Sequence, residues 1–201
     1  MNYLAHLFLS DPDEDLMFGN FIADAVRGKQ IELYSDGVRD GITHHRLIDD
    51  FTDHHPMWRQ SKERLWDGYR HYGAVLVDLY YDHFLARNWL DFHTEPLEKF
   101  AERAYAMLMD RRAEMPERSR FMLPYMIKGN WLYNYQFFEG MQRVLTGMSR
   151  RAAPGNGMQR GLKELKEYYG DFKTDFLSFF PELIIYGNKQ RELLRSQGDQ
   201  S

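Results

Sequence analysis

Tyr69-Arg70-His71-Tyr72-Gly73-Ala74-Val75-Leu76-Val77-Asp78-Leu79-Tyr80-Tyr81-Asp82-His83-Phe84-Leu85-Ala86-Arg87-Asn88-Trp89 is the most apolar and aromatic stretch of the chain. Wound as a helix, it spreads Val75, Leu76, Leu79, Tyr80, Phe84 and Leu85 over nearly all its faces. A helix that is apolar on most sides is buried at the centre of its domain. Two-residue alternation is scarce elsewhere, whereas apolar residues three and four apart recur throughout. Other helices are therefore expected to cover this one, and the predicted fold is all-α in a single compact domain.

Upstream, helices are expected over Tyr3 to Leu9, Asp13 to Val26 and Ser35 or Asp36 to Asp53, with Gly28 and Pro56 as stops. Another short one reaches Trp66. Downstream, Thr94 reads as an N-cap with Pro96 in the first turn. Further helices are expected over Pro116 to Tyr133, Phe137 to Met148, Met158 to Tyr168 and Asp171 to Phe179, with Pro181 opening a last one. Arg150-Arg151-Ala152-Ala153-Pro154-Gly155-Asn156-Gly157 is the clearest loop. The domain is expected to span residues 1–195, with a polar tail over 196–201.

The 201 residues are enough for one sizeable core, and 43% hydrophobic against 28% charged is a globular balance. Cysteine is absent, which excludes disulfides, thiolate metal sites and a cysteine nucleophile. A net charge of −4 argues against a surface that coats nucleic acid. No apolar run is long enough to span a bilayer. The opening Asn2-Tyr3-Leu4-Ala5-His6 has neither a basic leader nor a small-residue cleavage site, so no signal peptide is read there and a cytoplasmic protein is expected.

All eight histidines lie at or before His93. His45, Asp49 and Asp53 repeat every four residues and share one helix face. Imidazole beside carboxylate suits a divalent cation of intermediate hardness, while the plain alternative is a solvated face with ordinary ion pairs. Arg46 has two uses open to it, neutralising a phosphate or pairing with Asp50. Asp78 and Asp82 share a face of the apolar central helix, with His83 alongside. Buried carboxylates must be neutralised, paired or bound to a cation, so this cluster reads as a metal or catalytic site or as a buried ion-pair network. His6 and Asp24 lie in apolar runs of their own. His44 points about 100° away from His45, so at most one of the two is expected to join the same site easily. His54 and His55 are expected to be exposed at a helix end.

A site of histidine and aspartate without cysteine favours Mn, Fe, Zn, Co or Mg. Phosphate-loop, dinucleotide and zincin motifs are absent, as is a nucleophile-elbow serine, which leaves metal-assisted hydrolysis of a phosphate ester as the sharpest reading. Met1-Asn2-Tyr3-Leu4-Ala5-His6-Leu7, Gly19-Asn20 with Asp24, Arg27 and Gly28, His45-Arg46, Ile48-Asp49 with Thr52-Asp53, and Asp78 followed by Asp82-His83-Phe84-Leu85 and Trp89 occur in that order. In this the chain resembles the acyl carrier protein phosphodiesterase family.

The resemblance implies a helical protein distantly related to the His-Asp metal-dependent phosphohydrolases. The implied activity is removal of 4′-phosphopantetheine from the serine of holo-acyl carrier protein, with Mn²⁺ as the favoured divalent metal. It carries His6, Asp24, His45, Asp49, Asp78, Asp82 and His83 over as the polar set. On this reading Asp24, His45, Asp49 and Asp82 face the metal. His6 or His83 protonates the leaving group or orients a ligand, Arg46 stabilises developing charge, and Asp78 holds an imidazole. Arg27 and Lys29, and secondly Arg150 and Arg151, are the candidates for receiving an acidic carrier. The group Trp131, Tyr133, Tyr135, Phe137 and Phe138 either shapes a channel for the arm or packs the core. Two competing readings are a phosphohydrolase of small nucleotide-like esters and a helical binding protein for an acidic partner.

Overall fold

Leu76, Val77, Leu79, Tyr80, Tyr81, Phe84 and Leu85 are fully enclosed, so the apolar stretch forms the central helix the pattern predicts. A computed structural model describes residues 1–198, and among them there are helices and turns but no strand. In chain order the helices are α1 (Tyr3–Ser10), α2 (Glu14–Ile22), α3 (Asp36–His54), α4 (Pro56–Arg64), α5 (Trp66–Tyr69) and the central α6 (Tyr72–Arg87). There follow α7 (Leu97–Asp110), α8 (Glu117–Gly129), α9 (Trp131–Asn134), α10 (Phe138–Arg151), α11 (Gly161–Glu167) and α12 (Tyr169–Gly198). Short 3₁₀ turns join several of them, including Ala23–Ala25 and Gly28–Leu33 after α2.

Several boundaries depart from the sequence reading. Arg70 takes a left-handed conformation (φ 50°), which separates α5 from α6. Asn130 does the same (φ 41°) between α8 and α9, where one helix was expected. Pro96, not Thr94, is the N-cap of α7. Pro181 does not open a new helix but lies inside α12. It forfeits one hydrogen bond, to the carbonyl of Leu177, a residue 41% exposed and within reach of water. On either side of it Phe176, Phe179, Phe180 and Leu183 are fully buried. Burial of such side chains is worth roughly 1.5–3 kcal/mol each, enough to carry the helix past the proline. Residues 196–198 of the expected tail continue α12, and 199–201 lie outside the described residues.

Two contacts set the positions of α1, α2 and α3, the helices that carry the early histidines. Helices α2 and α3 touch backbone to backbone through Gly19 and Gly41. A Cβ on Gly19 would overlap the Val38 carbonyl oxygen, and one on Gly41 the Leu16 carbonyl oxygen. The second contact is between α6 and the start of α1. Asp82, fully buried, accepts from the backbone N–H of Leu4 at 2.8 Å and of Ala5 at 3.2 Å. These are donors that a helix start leaves without partners, and Asp82 thereby fixes the end of α1 one residue short of His6.

Candidate metal centre

The close approach of α2 and α3 brings Asn20 against two consecutive histidines. The Gly187 carbonyl can only accept, so at 2.9 Å it takes a proton from His44 Nε2. The neutral ring then offers a lone pair at Nδ1, filled by the Asn20 amide nitrogen at 3.1 Å, which also donates to Ser10 Oγ at 2.6 Å. This orients the Asn20 carbonyl oxygen toward His45, whose Nδ1–H donates to it at 3.0 Å. Burial favours the neutral form of His44 by lowering its pKa, in keeping with this order. The chain of bonds fixes the tautomer of His45 and leaves Nε2 as the nitrogen that faces outward.

His45 Nε2 is buried without a hydrogen-bond partner, yet it lies 3.1 Å from Asp49 Oδ2 and 3.4 Å from Asp24 Oδ1. A lone pair that close to two carboxylates is repelled unless positive charge lies between them. Burial opposes a charged imidazole here, but Asp24 and Asp49 outweigh it and lift the pKa to about 9. A proton or a metal ion meets the same demand. His6 stacks on His45, ring centroids 4.0 Å apart and planes within 18°, and places Nε2 3.1 Å from Asp49 Oδ1. Burial first, then His45, push the His6 pKa down to about 4, so this ring is neutral near pH 7. Burial also resists ionisation of Asp49, yet His6, His45 and the Met1 amino group hold it well below the usual carboxylate range.

One donor atom each from His6, His45 and Asp49 lies within 4.8 Å of the others, the spacing that a single cation can bridge. The orphaned His45 Nε2 and the His6 Nε2, both facing an ionised carboxylate, are the donor set a divalent metal takes, and these residues fit one. Asp24 is 66% exposed and stands on the open side, its pKa lowered first by the contact with His45. The cluster borders a cleft of about 260 Å³ that Tyr3, Asn20, Val75 and Arg118 also line.

The other sequence-predicted residues lie elsewhere. Asp82 does not join the triad, because both its oxygens are bound to α1. Burial lifts its pKa to about 7 against those two backbone bonds. Asp78 holds no imidazole among the described residues. Its Oδ1 accepts from Trp58 Nε1 at 2.9 Å and lies 3.3 Å from the Met1 amino group, which is itself 3.5 Å from Asp49. His83 is in the core, its Nδ1 2.7 Å from the Tyr135 carbonyl and its ring stacked on Phe138. Arg46 reaches the Val26 carbonyl at 3.3 Å rather than Asp50. Asp53 is exposed, and His55, expected in solvent, is buried and accepts from the Met57 N–H at the start of α4. Arg27, Lys29, Arg150 and Arg151 are all exposed. Of the aromatic group, Tyr135 is fully buried, while Trp131 lines a surface groove. Asn20 and His44 are the contributors whose roles spacing alone does not reveal. Their signal lies in burial, since an asparagine and a histidine with almost no exposure require partners.

Fold and cluster together define an all-helical domain with a histidine–carboxylate site of the kind that holds a divalent cation. No solved structure matches this chain. A sequence model described as acyl carrier protein phosphodiesterase matches residues 1–183. The chain belongs to that family, and with it to the hydrolases. A curated acyl carrier protein phosphodiesterase from Enterobacter sp. (strain 638) is 32% identical over 192 residues, covering 94% of this chain and all of the relative. Relatives of the same description are 30% identical in Pectobacterium atrosepticum, over 95% of this chain and all of the relative. In Escherichia coli O6:H1 the figure is 32%, over 94% of this chain and 99% of the relative.

Proposed function

We propose that this protein hydrolyses the phosphodiester joining 4′-phosphopantetheine to the serine of holo-acyl carrier protein, releasing apo-carrier, with Mn²⁺ as its metal. The observation that carries the reading is His45 Nε2, turned toward two carboxylates by the Asn20–His44 chain and left without a hydrogen bond. The family membership supplies the substrate. In the reaction, water adds to phosphorus and gives up a proton, the bond from phosphorus to the serine oxygen breaks, and that oxygen leaves protonated.

His6, His45 and Asp49 hold the cation, and Asp24 completes the donor set from the exposed side. The nitrogen and oxygen donors suit an ion of intermediate hardness. A divalent cation there supplies Lewis acidity, polarising a phosphoryl oxygen and easing the deprotonation of water. Asn20 keeps the His45 lone pair aimed at the ion. Asp82 holds α1 so that His6 remains stacked on His45. The exposed Arg27 and Lys29 lie three and five residues beyond Asp24 in the chain, and with Arg150 and Arg151 they offer positive charge to an acidic carrier. The enzyme would work in the cytoplasm.

Incubation of the protein with holo-acyl carrier protein and Mn²⁺, followed by intact mass, tests the reading. The carrier should lose the mass of 4′-phosphopantetheine, and His45→Ala, checked for folding by circular dichroism, should leave it intact. An unchanged carrier mass with folded, metal-loaded wild type would point to a small phosphoester instead.

A further inference from the structure

A groove of about 510 Å³ adjoins the cleft of the metal cluster and shares Tyr3, Val75, Arg118 and Met148 with it. Its walls are apolar. Phe121 and Tyr125, one turn apart on α8 and with ring centroids 5.3 Å apart, are 68% and 55% exposed. Trp131 of α9 and Tyr72 of α6 line the same groove. A contiguous exposed aromatic surface of this kind marks a binding site more often than a solvated face.

The charged side chains that line the groove are two arginines. Arg118, near the start of α8, and Arg151, at the end of α10, both line it and are exposed, and neither forms an ion pair among the described residues. The Tyr3 hydroxyl, donating to Met122 Sδ at 3.3 Å, lies in the field of Asp24 and of these two guanidiniums. Tyr3 and Arg118 line both the cleft of the metal cluster and the groove, while Arg151 and the rings of Tyr72, Phe121, Tyr125 and Trp131 line the groove alone. An anionic head followed by a long, uncharged chain matches that arrangement. Arginine prefers phosphate oxygens, and aromatic walls take methyl and amide groups.

We infer that this groove is the binding site for the pantetheine arm, and that Arg118 and Arg151 grip its phosphate where groove and cleft meet. The inference rests on the substrate proposed above, but its test does not depend on turnover. Free 4′-phosphopantetheine is titrated calorimetrically into the Mn²⁺-loaded protein, with pantetheine lacking the phosphate as the second probe. Phe121→Glu changes a largely exposed side chain, and a melting curve and Mn²⁺ affinity verify that the protein is intact. It should weaken both probes at least tenfold and raise the KM for holo-carrier by a similar factor. Arg118→Ala should weaken 4′-phosphopantetheine about tenfold and leave pantetheine unaltered. Wild-type affinity for both probes in Phe121→Glu, or no saturable binding of 4′-phosphopantetheine to the wild type, would overturn the groove assignment. Saturable, groove-dependent binding with no loss of mass from holo-carrier would uphold the groove and reject the proposed reaction.

Discussion

Asn20→Ala removes a side chain that is 1% exposed and that alone links Ser10, His44 and His45. Three buried polar groups lose a partner. Each such orphan costs about 1–3 kcal/mol before any relaxation, and water entering the space left behind recovers part of that. A net loss of roughly 2–4 kcal/mol in unfolding free energy is expected, measured by urea denaturation. The greater consequence concerns the tautomer. With no acceptor at Nδ1, His45 is free to carry its proton at Nε2, where it blocks a metal ion. Loss of such an orienting partner lowers metal affinity by about 10–100-fold. Asn20→Asp is the companion variant. It keeps an oxygen acceptor for His45 Nδ1–H but donates neither to His44 nor to Ser10, so it should lose stability and retain Mn²⁺ affinity. Calorimetric Mn²⁺ titration, with ¹⁵N shifts reporting the His45 tautomer, separates the two effects. Wild-type Mn²⁺ affinity in Asn20→Ala, or an equal loss of affinity in the alanine and aspartate variants, would refute this role for Asn20.

Two other perturbations probe the frame around the site. Gly19→Ala drives a methyl group into the Val38 carbonyl, where only backbone can yield, so a loss of at least about 1–3 kcal/mol is expected together with weaker Mn²⁺ binding, since α2 and α3 carry Asn20 and His45. A variant as stable as wild type in urea would show that the helices can part without cost. His83 is 1% exposed, and burial lowers its pKa to about 4 from 6.5. Between those values the unfolded chain binds the extra proton, so wild type loses up to about 3 kcal/mol of this contribution as pH falls from above 6.5 to below 4. His83→Gln cannot titrate, and its stability relative to wild type should improve by about that amount over the same range. A difference that stays flat with pH would mean that His83 is not held neutral.

Much of the frame is legible in the sequence because it follows from periodicity. The apolar coverage of α6 places it at the centre, and the four-residue spacing of His45 and Asp49 puts both on one face of α3. Legibility fails where a long-range partner decides the outcome. Asp82 reads as a ligand because a buried carboxylate needs a cation or a donor, and spacing does not reveal that the donors are the Leu4 and Ala5 amides of a distant helix. His83 reads as part of the same cluster for the same reason, although it is held by the Tyr135 carbonyl and aromatic rings. His44 is set apart from His45 by its angle on the helix. The bond through Asn20 nevertheless makes it a determinant of how His45 is presented. Pro181 reads as a helix start because local rules penalise it, and the phenylalanines buried around it outweigh that penalty.

The central claim is that His6, His45 and Asp49 hold one divalent cation. Anomalous diffraction at the manganese edge, from crystals grown with Mn²⁺, addresses it most directly. A single strong peak within bonding distance of His6 Nε2, His45 Nε2 and an Asp49 oxygen is the predicted result. A peak at any other residues, or none between these three at saturating Mn²⁺, would contradict the account.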